Sequence, residues 1–251
     1  MRLLGEKIRA VLKRVPGAAP TYARAQTLYF STAETLGFVP DKESLVSRDY
    51  WNRRAIKLWE QDRVPDATYQ EATIEMIAEL KKLSWSNLLE VGCGHGRVLK
   101  EIAQAIPGKS LSGGDFSDNQ LAHARDYLKG FNVNLLQMDA RQLPFPDGHF
   151  DVILTAGSLI YLRPEELAVT LREFYRVSKQ YLVLSEYALD HLTSAAHKRI
   201  SRGTPFYMHD YRAALAQQGF AILESGLLKA WQNQPERLPQ TLIIAQRSLP
   251  R

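Results

Sequence analysis

An α/β fold, with a mostly parallel sheet and helices on both faces, follows from three features of this chain. Short apolar runs of strand length alternate with stretches whose apolar residues recur at helical spacing. The segments between the early runs are long enough for the helical crossovers that parallel strands require. The last two runs, residues 220–228 and 242–245, are joined by a loop around 233–239, which predicts a closing antiparallel hairpin.

The first strand is Leu88-Leu-Glu-Val91, and Gly-Cys-Gly-His-Gly-Arg97 follows it. Glycines at every second position (Gly92, Gly94, Gly96) predict a tight loop where a ligand lies against bare backbone. The amides of the next helix then face that ligand. The spacing is not G-x-G-x-x-G, whose third glycine sits one residue later. Val98, Leu99, Ile102 and Ile106 mark the helix, and Pro107-Gly108 ends it. A second strand, 110–115, ends in Asp115, about 20 residues past the loop, where a carboxylate serves ribose hydroxyls. The alternative for Asp115 is an N-cap for the helix that begins near Asp118.

That helix carries Leu121, Ala122 and Leu128 and breaks at Gly130. The third strand is 133–137, followed by Met138-Asp139-Ala140. Prolines 144 and 146 with Asp147-Gly148 make a turn into a buried fourth strand beginning at Phe150. Pro164 opens a helix through Val177, with Leu167, Leu171, Phe174 and Tyr175 on its apolar face. Residues 181–185 read as a fifth strand and 206–218 as a helix ending at Gly219.

Taken together, these motifs resemble those of the small-molecule class I S-adenosylmethionine-dependent methyltransferases. Glu90 with Gly92, Gly94 and Gly96 is similar to motif I, E-x-G-x-G-x-G, and the run L-P-F-P-D-G-H-F-D-V-I at 143–153 resembles the stretch before the fourth strand. The resemblance implies a Rossmann-like seven-stranded fold that binds S-adenosylmethionine and releases S-adenosylhomocysteine. Glu90 and the glycines would hold the methionine end, Asp115 the ribose, and Phe116 one face of the adenine. Asp139 would meet the adenine amino group, with the Ala140 backbone N–H at the ring, and Thr155 at the end of strand four would join the cofactor site.

Strand four ends in Thr155-Ala-Gly-Ser-Leu-Ile-Tyr161, which departs from the Asn/Asp-Pro-Pro-Tyr motif of amino-group methyltransferases of DNA and protein glutamine. That leaves an O, N or C atom of a small molecule, natural-product or sugar-like, as acceptor. His209, with an ordinary pKa near neutrality, is the candidate base; its alternative is a solvent-facing or capping residue at a helix start. Tyr161 would orient the acceptor, or else sit in the core; Glu186, at the end of strand five, would bind a cationic amine or act as a base. Cys93 fits between loop glycines as a small residue rather than a catalytic thiol.

With 251 residues, the chain accommodates a helical cover at 1–65 and a cofactor-binding domain at 66–251. No Cys/His cluster has metal-ligand spacing, so no metal is expected. No apolar run reaches membrane-span length and the start is no signal peptide, so a cytoplasmic setting is expected. Residues 1–63 hold twelve basic and seven acidic side chains, which accounts for the whole net charge of +5. The balanced remainder speaks against a nucleic-acid partner.

Within the cover, Leu4, Ile8, Val11, Leu12 and Val15 form one helical stripe among basic residues. That stripe docks on the main domain or makes peripheral membrane contact through residues 1–15. Tyr50 and Trp51 are the cover residues expected at the cofactor, the alternative being core aromatics. Two further functions stay open, a lipid or lipid-linked acceptor and a cofactor-binding module without transferase activity. Oligomeric state is not legible.

Overall fold

The computed structural model describes residues 48–62, 67–189, 207–232 and 240–248. The stripe and basic residues of 1–15 lie outside the described residues, as does the boundary drawn at 65. Of the expected cover, only its last helix, α1 (Arg48–Asp62), is described.

α2 (Ala67–Leu80) leads into β1 (Asn87–Val91), α3 (Arg97–Ala105) and β2 (Ser110–Asp115). α4 (Asp118–Tyr127), β3 (Val133–Gln137), β4 (Phe150–Ala156), α5 (Pro164–Val177) and β5 (Ser178–Tyr187) continue the alternation. α6 (Tyr211–Gln217), β6 (Phe220–Leu227), the single turn α7 (Lys229–Gln232) and β7 (Gln240–Arg247) complete it. The seven strands form one sheet in the order β3-β2-β1-β4-β5-β7-β6. Every pair from β3 to β5 is parallel, and β7 runs antiparallel to both β5 and β6. The expected parallel sheet with its closing antiparallel hairpin is therefore present.

Strand alternation divides the core between the two faces of the sheet. Leu88, Val152, Leu154 and Val183 pack with Met76, Leu80, Leu99, Ile102 and Leu121 on one face. Leu89, Ile153, Leu182, Leu184, Ile243 and Ala245 pack with Leu167, Leu171, Phe174, Tyr211 and Leu215 on the other. β1 lies centrally, with Glu90 opposite Gly113 on β2 and Leu154 on β4. Order reverses at β1, between β2 and β4, the topological switch point where doubly wound sheets open a crevice at the strand C-termini.

Two elements depart from expectation. β5 runs Ser178–Tyr187, beyond the apolar segment 181–185, because Glu186 and Tyr187 pair with Thr241 and Gln240 of β7 and Ser178 pairs with Phe150 of β4. α6 begins at Tyr211 rather than at 206, because Asp210 is its N-cap and accepts from the Ala213 N–H. A 3₁₀ turn at Leu159–Tyr161, unmarked in the sequence, follows β4.

Candidate functional site

The crevice beyond the C-terminal ends of β1, β2 and β4 is a cavity of about 300 Å³, within the range of small-ligand sites. The glycine loop forms one wall. The N–H groups of Gly92 and Cys93 both donate to the Gly114 carbonyl, at 2.7 and 3.0 Å, which folds the loop back onto β2. Gly92, Gly94 and Gly96 all have positive φ (76°, 55° and 86°), a region L side chains rarely adopt. Their surroundings differ. A Cβ on Gly92 would lie 2.5 Å from Ser158 Cβ, and one on Gly96 would lie 2.6 Å from Leu128 Cδ1. A Cβ on Gly94 would meet nothing nearer than Gln120 Oε1 at 3.9 Å. Gly94 thus presents bare backbone to open space, whereas Gly96 lets α3 approach α4 and is not on the cavity wall. Of the three glycines expected at the ligand, Gly92 and Gly94 line the cavity and Gly96 does not.

Glu90 lines the cavity at 2% exposure, and its Oε2 has no hydrogen-bond partner. Burial pushes its carboxyl up to about 8, against a lowering pull from Arg97. Asp115 ties the loop to the next helix. Its Oδ2 accepts from the Gly94 N–H and its Oδ1 from the Ser117 N–H, each at 2.8 Å. Burial raises its pKa, against those same backbone hydrogen bonds. The N-cap of α4 is Ser117, whose hydroxyl accepts from the Gln120 N–H at 3.2 Å, so the capping alternative for Asp115 does not hold. Phe116 lies on the wall with the Arg48 guanidinium 5.1 Å from its ring centroid.

Asp139 and Ala140 also line the cavity. Arg141 clasps the Asp139 carboxylate with Nε and Nη2, the shortest contact 2.6 Å, and its Nη1 reaches Glu166 Oε1 at 2.6 Å. Burial works to raise the Asp139 pKa, but the Arg141 hydrogen bonds and charge prevail and hold it below the ordinary value. The acid is therefore ionised and oriented at neutral pH.

The remaining wall comes from the turn after β4 and from α1. Gly157, Ser158, Leu159, Tyr161 and Leu162 face the cavity, with Trp51 opposite. Trp51 and Tyr161 meet edge to face, with ring centroids 4.5 Å apart. Burial holds the Tyr161 hydroxyl well above its ordinary pKa, so it stays protonated at neutral pH. α1 is fastened over this end: Asn52 Oδ1 accepts from the Ser117 hydroxyl at 2.7 Å, and the Asn52 carbonyl accepts from Asn119 Nδ2 at 2.8 Å.

Besides Gly96, four expected site residues are not on the wall. Tyr50 is buried behind Trp51, centroids 5.2 Å apart; adjacent residues of a helix point about 100° apart, and Trp51 takes the inward direction. Thr155 is fully buried, because strand alternation turns it away from Leu154 and Ala156. His209 is 4% exposed, and its Nε2 is 3.2 Å from the Leu159 carbonyl, so it braces the turn behind the wall instead of facing the cavity. Desolvation lowers its pKa, while that carbonyl favours the protonated ring. Glu186 also lies behind the turn.

Several further residues line the wall. Gln120 is 3% exposed with Oε1 unpartnered, but a glutamine inside a helix carries no distinguishing signal. His95 is held neutral by burial, with a pKa lowered to about 4. Met138 packs where a side chain on Gly114 would stand, so Gly113-Gly114 in β2 was the available sign of close packing at the site. Among the described residues, no three His, Cys, Asp or Glu side chains converge as a metal site. Nor, among them, is any helix long and apolar enough to cross a membrane.

Comparison with known proteins finds the same pattern. Residues 88–181 match the family described as a methyltransferase domain. A demethylmenaquinone methyltransferase of Lactococcus lactis is 33% identical over 138 residues, covering 53% of this chain and 51% of that protein. A protein of the same description from Listeria welshimeri is 39% identical over 98 residues, 38% of this chain and 41% of its own length. The chain thus spans about half or less of the length of these relatives.

Among solved structures, magnesium protoporphyrin IX methyltransferase from Synechocystis with bound S-adenosylhomocysteine has a TM-score of 0.66 at 24% identity, covering 80% of this chain and 98% of that one. The [4+2]-cyclase SpnF has a TM-score of 0.56 at 20% identity, covering 72% and 81%. At these identities the likeness is one of fold.

Proposed function

We propose that this chain is a class I S-adenosylmethionine-dependent methyltransferase that methylates a small planar acceptor, a reading supported by the methyltransferase-domain match over residues 88–181 and by the relatives' descriptions. The observation that carries the cofactor assignment is Glu90, a buried carboxyl with an unpartnered oxygen on the wall of a cavity floored by the open backbone of Gly94. A buried acid without a partner costs stability until a donor reaches it. The ammonium of a bound amino-acid moiety is such a donor. Asp115 stands one strand over with both oxygens directed by backbone N–H groups, which fits it to vicinal hydroxyls. Asp139, ionised and held by Arg141, fits an exocyclic amino group.

When bound, S-adenosylmethionine would supply an electrophilic methyl on a sulfonium, to which an acceptor atom bonds as the methyl–sulfur bond breaks and the neutral thioether leaves. The residues of this chain align and desolvate. Trp51, Leu159, Tyr161 and Leu162 make an aromatic and apolar slot for a flat ring, and Tyr161 keeps its proton to hold an acceptor oxygen by hydrogen bonding. The bases considered from the sequence, His209 and Glu186, both stand behind the wall. An acceptor that is nucleophilic without them, such as the electron-rich ring carbon of a reduced quinone, suits such a slot. The relatives described as demethylmenaquinone methyltransferases support that choice.

Two measurements test the reading. Titration calorimetry with S-adenosylhomocysteine should show one site per chain; no binding to folded protein would refute the cofactor assignment. Incubation with methyl-labelled S-adenosylmethionine and reduced demethylmenaquinone should carry label into the organic extract. Binding without transfer would favour the second reading, a cofactor-dependent protein with other chemistry, which the fold shared with a cyclase makes concrete.

A further inference from the structure

The turn that forms the acceptor wall is held from behind by two side chains that never reach the cavity. At the start of the 3₁₀ turn, the N–H groups of Ser158 and Leu159 have no partner within the turn. Glu186, at the end of β5 and fully buried, accepts both with Oε1, at 2.9 and 3.2 Å. The Ser158 hydroxyl lies 3.4 Å from the same oxygen and donates to the Val91 carbonyl at 3.2 Å. From the other side, His209 Nε2 meets the Leu159 carbonyl, and the Tyr207 N–H donates to Ile160 O at 2.8 Å.

Every residue so fastened belongs to the wall or adjoins it: Ser158, Leu159 and Tyr161 line the cavity, and Ser158 Cβ fills the space that glycine at 92 leaves open. A shift of this turn therefore moves the acceptor wall against the glycine loop.

We propose that Glu186 and His209 are positioning residues that clamp the Ser158–Tyr161 turn, Glu186 by its two backbone N–H groups and His209 by a backbone carbonyl, and so set the acceptor slot. The inference rests on the methyltransferase reading for its consequence but not for its geometry. Glu186 works as an acceptor of hydrogen bonds, not as a charge. Its Oε2 has no hydrogen-bond partner. A glutamine keeps an oxygen for the two N–H groups. A leucine of similar size keeps none.

The test compares Glu186→Gln with Glu186→Leu in the full chain loaded with S-adenosylhomocysteine, and His209→Phe as a second break in the clamp should Glu186→Leu fail to fold. Hydrogen exchange at the Ser158 and Leu159 amides should stay slow in wild type and Glu186→Gln and quicken about tenfold or more in Glu186→Leu or His209→Phe. With reduced demethylmenaquinone, the leucine or phenylalanine variant should raise the acceptor KM about tenfold, with S-adenosylhomocysteine affinity within about threefold of wild type. Glu186→Gln should restore both. A glutamine variant as impaired as the leucine one would overturn the proposal in favour of a charged or proton-carrying role. Unchanged amide exchange in the leucine or phenylalanine variant would overturn it outright. Absence of wild-type turnover would reject the acceptor reading alone, because amide exchange still decides the clamp.

Discussion

Gly94 and Gly96 share a left-handed backbone and differ in what surrounds them, so the same substitution should separate binding from stability. Gly94→Ala places a methyl in open space at φ 55°, costing about 1–2 kcal/mol of backbone strain and obstructing the ligand. Gly96→Ala adds to that strain a collision with Leu128, of the overpacking kind that costs about 1–3 kcal/mol. Thermal melts should therefore rank Gly96→Ala as the less stable, while calorimetry with S-adenosylhomocysteine should rank Gly94→Ala as the weaker binder; the reverse order would mean that the loop presents a different glycine. Asp115→Ala removes a charge-assisted contact to the ligand worth about 1.5–3 kcal/mol, and the expected loss is roughly 10- to 100-fold in affinity for the same ligand. Unchanged affinity in a folded Asp115→Ala protein would reject the ribose assignment.

At the scale of elements, α1 matters because it is fastened to the strand end that carries Asp115. Asn52 Oδ1 holds the Ser117 hydroxyl, Ser117 caps α4, and the Ser117 N–H holds Asp115. Asn52→Ala removes one hydrogen bond of this chain, about 0.5–1.5 kcal/mol. Amide exchange in α1 should quicken while β1 to β5 stay protected, and S-adenosylhomocysteine affinity should fall about two- to tenfold as the Trp51 wall loosens. Exchange that stays unchanged would show that α1 is held by packing alone.

The same elements show what a sequence discloses. Strands β1 to β4 and helices α3 to α5 were legible because period and punctuation agreed: an apolar run led into Glu90 and the glycines, a second strand closed on Asp115, and proline opened α5. The ends of β5 and β7 were not, because Ser178, Glu186 and Gln240 are strand residues by pairing and not by hydrophobicity. That Glu90, Asp115 and Asp139 gather at one cavity was legible from their place after strands. The acceptor side was not. Whether Tyr50 or Trp51 faces inward depends on the rotation of a helix, and whether His209 reaches the cavity or the turn behind it depends on how β5 and α6 stack. Neither leaves a mark on local pattern.

For the molecule as a whole, the buried site groups give stability an unusual dependence on pH. Burial raises the Glu90 carboxyl to about 8 and the Glu186 carboxyl to about 7, both above the ordinary 4.5. The folded protein therefore holds protons that the unfolded chain has released, and stability falls as pH rises through that window. His95, lowered to about 4, and His209, also lowered, act oppositely: their contribution is present above 6.5 and is lost as pH falls. Between about 4.5 and 6.5 the two trends oppose each other. Above 6.5 only the carboxyls remain, and from pH 6.5 to 8 the ligand-free protein should lose about 2 kcal/mol, seen as a falling Tm in differential scanning calorimetry. Glu90→Gln should flatten most of that slope, since Glu90 stays protonated over the widest range. Saturating S-adenosylhomocysteine should flatten it too, because an ammonium beside Glu90 stabilises the charged form and draws its pKa down. A ligand that raises Tm equally at pH 6.5 and 8 would show that its amino group does not meet Glu90.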